Sequence, residues 1–329
     1  MRILLIGGTS FVGRHIAEAA LLAGHEVSLA HRGRTGVDLF PDAEHVALDR
    51  DVDLSALAGR DWDATVDVCG YWPRQVRSLA GALAGRGGQH VYISSVSAYA
   101  EPSGPEADES TPLASLDAGG DPDTWEMTGE TYGPLKALCE QAALQAYGKE
   151  HLTIVRPTYV VGPFDPTGRF CWWVDRIARG GQLVCPGPAS AALQVIDARD
   201  QARWIVDLAA TGTSGAFHAV SPPPPWSMAD LVAQISTALA STAEPVWAPA
   251  GDLLERGLDG ADFPLWAAGA DEYASALNPA AALSTGLRPR PIGDTVLDTW
   301  AWMQEAGWRR NGIGLSPDRE VELLRELTG

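Results

Sequence analysis

The 329-residue sequence predicts an α/β fold, a doubly wound parallel sheet with a smaller α/β domain toward the C-terminus. Three observations carry that prediction. Short apolar runs alternate with helical stretches from the first residue. A glycine turn joins the first run to the first helix. The alternation changes character after Arg156-Pro157. Strands alternating with helices at this spacing form βαβ units, whose right-handed crossovers wind a parallel sheet.

Residues 2–6 form the first strand. Residues 11–23 have helical spacing, with Val12, Ile16, Ala19 and Ala20 on the periodic positions, and stop at Gly24. Residues 26–30, 44–48 and 64–68 are the next strands. A helix over 73–84 opens with proline, which suits a first helical turn. Residues 89–94 are the fifth strand, a helix opened by Tyr132 runs to about Tyr147, and 152–155 are the sixth strand. Beyond Pro157, helices over 170–179, 199–210, 228–240, 295–305 and 318–327 mix with short strands and proline turns. One stretch near 196–220 returns to the main sheet, and Pro222-Pro223-Pro224-Pro225 is a stiff connector leading away from it.

Composition removes several function classes. Apolar residues are 46% and charged residues 20% of the chain, as in an ordinary globule. The formal charge is −18, which argues against nucleic acid and anionic membranes as partners. No stretch is apolar enough to span a membrane, and the apolar start is too short for a signal peptide. Cys69, Cys139, Cys171 and Cys185 lack paired spacing and read as reduced thiols of a cytoplasmic protein. The seven histidines show no metal-ligand spacing.

The turn Gly7-Gly8-Thr9-Ser10-Phe11-Val12-Gly13 lets backbone approach a pyrophosphate, whose charge the following helix N-terminus meets. Ser10 stands where the GxxGxxG pattern has its middle glycine, and its hydroxyl can donate to phosphate instead. An NAD site wants Asp or Glu at the end of the second strand. Here that end reads Ala30-His31-Arg32-Gly33-Arg34, and Arg32 with Arg34 can grip a 2′-phosphate. NADP is therefore expected over NAD.

Tyr132-Gly133-Pro134-Leu135-Lys136 places tyrosine and lysine four apart, on one helical face. Lys136 is one of only two lysines. An ammonium beside a phenol lowers its pKa from near 10, so that it can exchange a proton with a carbonyl or hydroxyl. The fifth strand runs into Ser94-Ser95-Val96-Ser97, and ligands in such sheets bind at the carboxyl ends of strands.

These features, with Arg156-Pro157-Thr158-Tyr159-Val160-Val161-Gly162-Pro163 and Val195-Ile196-Asp197-Ala198-Arg199-Asp200, resemble the extended and atypical short-chain dehydrogenase/reductase superfamily, in its NAD-dependent epimerase/dehydratase group. The resemblance implies a Rossmann NAD(P)-binding domain over 1–156 with a returning segment near 196–220. It implies a substrate-binding domain over 157–195 and 221–329. Within it, Tyr132 is the general acid/base, Lys136 lowers its pKa and holds the nicotinamide ribose, and Ser95 is the catalytic serine with Ser94 beside it. Gly7, Ser10, Phe11, Val12 and Gly13 serve the pyrophosphate. Asp49 and Arg50 lie near the adenine, and Cys69, Gly70 and Tyr71 lie along the cofactor. Pro157 and Val160 flank the nicotinamide. Tyr71, Ser97 and Arg169 are the substrate candidates, and a homodimer through the Tyr132 helix is implied as well.

Departures refine the expectation. Val96 and Ser97 stand where dehydratases of the group carry Asp-Glu, and the acid after the second strand that epimerases of the group show is absent. The leading reading is an NADP(H)-dependent oxidoreductase moving hydride to or from a carbonyl or alcohol of a small molecule. The alternatives are an epimerase that uses the nicotinamide transiently and a dinucleotide-sensing binding protein. Residues 87–135 contain acids but no Lys or Arg. They read as a solvated loop or, more sharply, as a lid for a cationic substrate. Trp72, Trp172, Trp173, Trp226 and Trp266 lie in segments expected to face the cleft, mostly as core.

Overall fold

The computed structural model describes residues 1–100, 106–116, 119–267 and 275–328. Its centre is a seven-stranded sheet, every pairing of which is parallel. The strands are β1 (Arg2–Ile6), β2 (Glu26–His31), β3 (Glu44–Ala47), β4 (Ala64–Asp67), β5 (Gln89–Ile93), β6 (Leu152–Pro157) and β10 (Gly215–Ala219), with β7 to β9 lying outside it. Their order, β10-β6-β5-β4-β1-β2-β3, reverses direction beside β1. This is the doubly wound Rossmann arrangement.

Alternation along β1 shows how the layers form. Ile3 and Leu5 pack with Ile16 and Ala20 of α1 (Phe11–Leu22), and with Ile205 of α5 (Ala198–Thr211). Leu4 and Ile6 point the other way, toward Leu79 and Leu83 of α2 (Pro73–Leu83). Successive strand side chains face opposite sides, so a run with no polar member needs cover on both. Helix α3 (Gly129–Tyr147) lies with α2 on that second side, where Cys139 and Ala143 meet Val76 and Tyr92.

The remaining elements form a second body with its own core. They are β7 (Tyr159–Val161), α4 (Arg169–Ala178), β8 (Gly181–Pro186), β9 (Val195–Asp197), α6 (Met228–Ala238), β11 (Ala243–Ala248), α7 (Ala250–Glu255), α9 (Ile292–Glu305) and α10 (Pro317–Thr328), whereas α8 (Ala280–Ser284) packs back on the core under the main sheet. The parallel pairs β7–β9 and β8–β11 stand apart from the main sheet. Phe170, Trp172, Trp173, Leu231, Phe263 and Leu323 fill the centre. A buried Arg176–Glu320 ion pair at 2.7 Å fastens α10 to α4. The stretch near 196–220 divides its work. β10 returns to pair with β6, whereas β9 pairs with β7 outside the sheet. The proline run joins β10 to α6.

Candidate active site

A cleft of about 1480 Å³ opens where β1, β2, β4, β5 and β6 end. Gly7, Ser10, Phe11, Val12, Arg32, Arg34, Asp49, Arg50 and Cys69 line one part of it. Tyr71, Ser94, Ser95, Ser97, Tyr132, Lys136, Pro157, Val160 and Arg169 line the rest. Gly13 and Gly70 are not on its wall. They sit behind it, where a side chain would disturb it.

The glycine turn is shaped for close approach. Gly7 has φ +95°, and a Cβ on Gly13 would lie 1.9 Å from the Gly7 carbonyl. Ser10 is the N-cap of α1 but makes no side-chain cap bond, and with Phe11 and Val12 of the first turn it lines the cleft, where the unpaired N–H groups of a helix start favour an anion. In the opposite wall, the buried Ser94 hydroxyl has no hydrogen-bond partner among the described residues. These features fit a dinucleotide. The turn and α1 would hold its pyrophosphate, and Ser94 would find an acceptor in it.

At the end of β2, His31 replaces an acid. Its Nδ1 accepts from the Gly33 N–H at 3.0 Å, and its Nε2 faces His45 Nδ1 at 2.8 Å. Burial holds this imidazole below its usual pKa. The pair braces the turn from which Arg32 and Arg34 reach the cleft. Asp49 also lines the cleft, with its carboxylate accepting from the Asp51 N–H at 3.1 Å.

Arg50, expected near the adenine, lines the cleft and is also held from behind. Its guanidinium turns inward and grips Asp67 at the end of β4 with two bonds of 2.7 and 2.9 Å, and it donates to the Gln75 carbonyl at 3.1 Å. Burial opposes ionisation of Asp67, yet Arg50 beside it holds its carboxyl below the ordinary range. The Arg50 charge is thus matched in a buried pair. Asp67 was missed, although an acid closing the strand Ala-Thr-Val-Asp was a visible signal.

Tyr132 is placed by the start of α3. Thr128 and Thr131 form a capping box, and a Cβ on Gly133 would lie 2.1 Å from the Ser97 carbonyl. Glycine lets the helix seat against the Val96–Ala98 turn, which brings Tyr132 beside Ser95. Ser95 Oγ also accepts from the Ser97 N–H at 3.1 Å and donates to Ser97 Oγ at 3.1 Å.

Lys136 lies on the same helix face but is fully buried. Its Nζ donates to the Gly70 carbonyl at 3.0 Å and the Ile93 carbonyl at 2.9 Å, and lies 4.8 Å from the Tyr71 ring centre. Burial pushes this ammonium below its usual range. Burial raises the Tyr132 phenol, and the downward pulls come from Ser95 and Arg169. Gly70 thus serves through its carbonyl, which also accepts from the Tyr92 hydroxyl at 2.8 Å. Burial raises the Cys69 thiol and pushes the Tyr71 phenol up to about 12, so neither ionises at neutral pH.

The remaining wall is aromatic. Tyr71, Trp72, Tyr99 and Tyr159 line it. Of the tryptophans expected near the cleft, Trp72 reaches it, whereas Trp172, Trp173, Trp226 and Trp266 belong to or pack on the second core. Sequence reading missed Tyr159 and Thr167, both on the wall, and neither carries a local signal. The acidic stretch spends most of its described charge structurally. Asp108 and Asp121 accept from the N–H groups two residues on, and Asp123 pairs with Arg77. Glu109 takes the His218 N–H at 3.0 Å, leaving Glu130 at the cleft. Of the lid reading, residues 101–105 and 117–118 lie outside the described residues. Among the described residues no cluster of His, Cys, Asp and Glu could hold a metal, and no helix is long and apolar enough to cross a membrane.

Comparison with known proteins agrees with this geometry. The chain is 25% identical over 217 residues to a chloroplast stem-loop binding protein of 41 kDa from Arabidopsis thaliana, covering 61% of this chain and 53% of that one. Over 38 residues it is 45% identical to the bifunctional pinoresinol-lariciresinol reductase of Forsythia intermedia, 12% of each chain. The chain thus spans about half the length of the first relative and far less of the second. Among solved structures, the NAD complex of Thermus thermophilus UDP-glucose 4-epimerase superposes with a TM-score of 0.66 at 19% identity, covering 93% of this chain and all of that one (100%). The family model for the NAD dependent epimerase/dehydratase family matches residues 3–218, the whole seven-stranded sheet nearly to its last residue. The protein belongs to that family.

Proposed function

We propose that the enzyme is an NADP(H)-dependent oxidoreductase acting on a carbonyl or alcohol of a small molecule. The observation that carries this reading is the end of β2, where Arg32 and Arg34 face the cleft and no carboxylate stands for a ribose 2′-hydroxyl. When bound, the nicotinamide supplies hydride exchange with a substrate carbon. The chain's own part is to orient and to move a proton. Ser95 and Tyr132 would share the substrate oxygen, with Tyr132 Oη giving or taking its proton. Burial keeps this phenol protonated at rest, the form that donates to a carbonyl oxygen. Lys136 would act from behind, where its bonds to the Gly70 and Ile93 carbonyls fix the floor under the ribose. The four cysteines are free thiols, in keeping with a cytoplasmic enzyme.

The test is a paired titration with NADPH and NADH, followed by tryptophan and nicotinamide fluorescence. Preference for NADPH supports the reading. Preference for NADH, or NAD that co-purifies and stays, favours an epimerase, the activity that the Thermus neighbour's name records. Absorbance at 340 nm separates the two, since an epimerase gives no net change. Stem-loop binding, which the Arabidopsis relative's name records, fits poorly with a charge of −18 if the stem-loop is a nucleic acid.

A further inference from the structure

Apart from Arg32 and Arg34 at the end of β2, the cleft wall carries an arginine with no ion-pair partner among the described residues. Arg169 opens α4, is half-buried, and lines the cleft with Tyr132. Its guanidinium carbon lies 5.0 Å from the centre of the Tyr159 ring. Its Nε donates to Thr167 Oγ1 at 3.2 Å, and that hydroxyl donates onward to Asp165 Oδ1 at 2.7 Å. Among the described residues no carboxylate comes within ion-pair distance of its two terminal nitrogens. The contrast within the chain is clear. Arg50 is matched by Asp67, Arg156 by Glu140 and Arg176 by Glu320. The chain has 42 acidic residues against 24 basic ones, so acids were not scarce.

The loop that presents Arg169 is held in a costly shape. Phe164 has φ +67°, a left-handed conformation rare for a bulky residue. It is kept there by Arg14, stacked 3.5 Å from its ring centre, and by Trp302 at 5.4 Å. Gly168 has φ +64°, and a Cβ there would meet Ile313 at 2.7 Å. Backbone strain of this kind persists where the surroundings over-determine it, and it gathers at ligand clamps. The guanidinium is thus oriented before anything binds, by an aromatic seat, a hydroxyl and a braced loop. Planar guanidinium groups match carboxylate and phosphate oxygens with paired bonds.

We propose that Arg169 selects the substrate by binding an anionic oxygen group, a carboxylate or a phosphate, a few bonds from the carbon that Tyr132 serves. This rests on the reading of Tyr132 as the proton donor. The two functions support one another. Arg169 pulls the Tyr132 phenol toward ionisation, and an anion on Arg169 offsets that pull. The cleft's acid at this end, Glu130, is exposed on the first turn of α3 and is the group an amine-bearing substrate would use instead.

The test uses small ketones matched except for one end group: a carboxylate, a phosphate, the methyl ester and an amine. NADPH oxidation should give kcat/KM about tenfold to a hundredfold higher for an anionic ketone than for the ester, chiefly through KM. Comparing carboxylate with phosphate identifies the source of the anion. Arg169→Met should bring the anion-to-ester ratio near one. Equal or better turnover of ester or amine, or a ratio that survives Arg169→Met, overturns the proposal. If no ketone is reduced, the reductase reading fails, and binding decides this one separately. In that case, protein saturated with NADP⁺ is titrated with malonate and inorganic phosphate while tryptophan fluorescence is followed. Saturable binding that Arg169→Met removes supports the proposal. No binding, or binding indifferent to that substitution, overturns it.

Discussion

The two ends of the cleft are built by different means. At the dinucleotide end, shape comes from backbone and from charges already matched: the Gly7–Gly13 approach, the α1 N-terminus and the Arg50–Asp67 pair. At the other end, shape comes from side chains gathered from distant segments. Ser95 stands just after β5, Tyr132 on α3, Tyr159 on β7 and Arg169 at the start of α4, and Arg169 has no ion-pair partner among the described residues. The first end can be kept while the second changes, since no side chain of the second is needed to form the first. A fold that retains one cofactor and varies its substrate requires such a division.

Substitutions can break or sharpen this comparison. The largest effect is expected at Tyr132. Tyr132→Phe should lower turnover by about a hundredfold to ten-thousandfold, as for loss of a general acid, while NADPH titration is unchanged. Retained turnover would mean that proton transfer belongs elsewhere. Next is Arg50→Met, which leaves Asp67 buried and unpaired and should cost about 3–5 kcal/mol in urea unfolding. Adding Asp67→Asn should recover part of that loss. Unchanged stability with weakened dinucleotide binding would return Arg50 to the cofactor.

The sheet beneath both ends sets the third effect. His90 stacks on Tyr147 with ring centres 3.8 Å apart, and burial holds its imidazole down to about 4. In the unfolded chain the group titrates near 6.5. Between those values the unfolded state binds the extra proton, so stability is full above about pH 6.5 and falls toward pH 4. That one group is worth at most about 3 kcal/mol, and His90→Phe should flatten the acid limb of a stability profile. An unaltered limb would assign it to other histidines. The smallest effect is at Arg32. Arg32→Met should weaken NADPH by about tenfold and leave NADH nearly untouched, a difference read by fluorescence titration. Equal losses would make the arginine a general phosphate contact.

Much of the sheet was legible in the sequence because its signals are local. An apolar run closed by Gly7-Gly8, or a helix opened by Pro73, announces itself within a few residues. Predicted ends fell within a few residues of those observed, the Tyr132 helix starting three earlier, at Gly129 behind its Thr128 cap. The site was legible as a set of positions, not as a set of interactions. Arg50 and Asp67 are 17 residues apart, and nothing near either one names the other. Tyr132 and Lys136 share a face by spacing, yet carbonyls of Gly70 and Ile93, from two other strand ends, decide where the ammonium goes. The fates of the tryptophans likewise depended on which helix covered them.

The path of the chain between its two bodies has a consequence for how such an enzyme changes. It leaves the main sheet after β6, builds β7, α4 and β8, comes back through β9, α5 and β10, and departs again toward α6. β10 closes the edge of β6, and Trp204 and Phe217 from the returning segment lie in the core under the sheet. The C-terminal body is therefore not a detachable module. A chimaera that exchanged it would need splices on both sides of the 198–219 segment, each preserving a register of strands. Exchange of whole halves is a costly route to a new substrate in this architecture. Replacement of a few residues in a braced loop such as 164–169 leaves both cores untouched, and is the cheaper one.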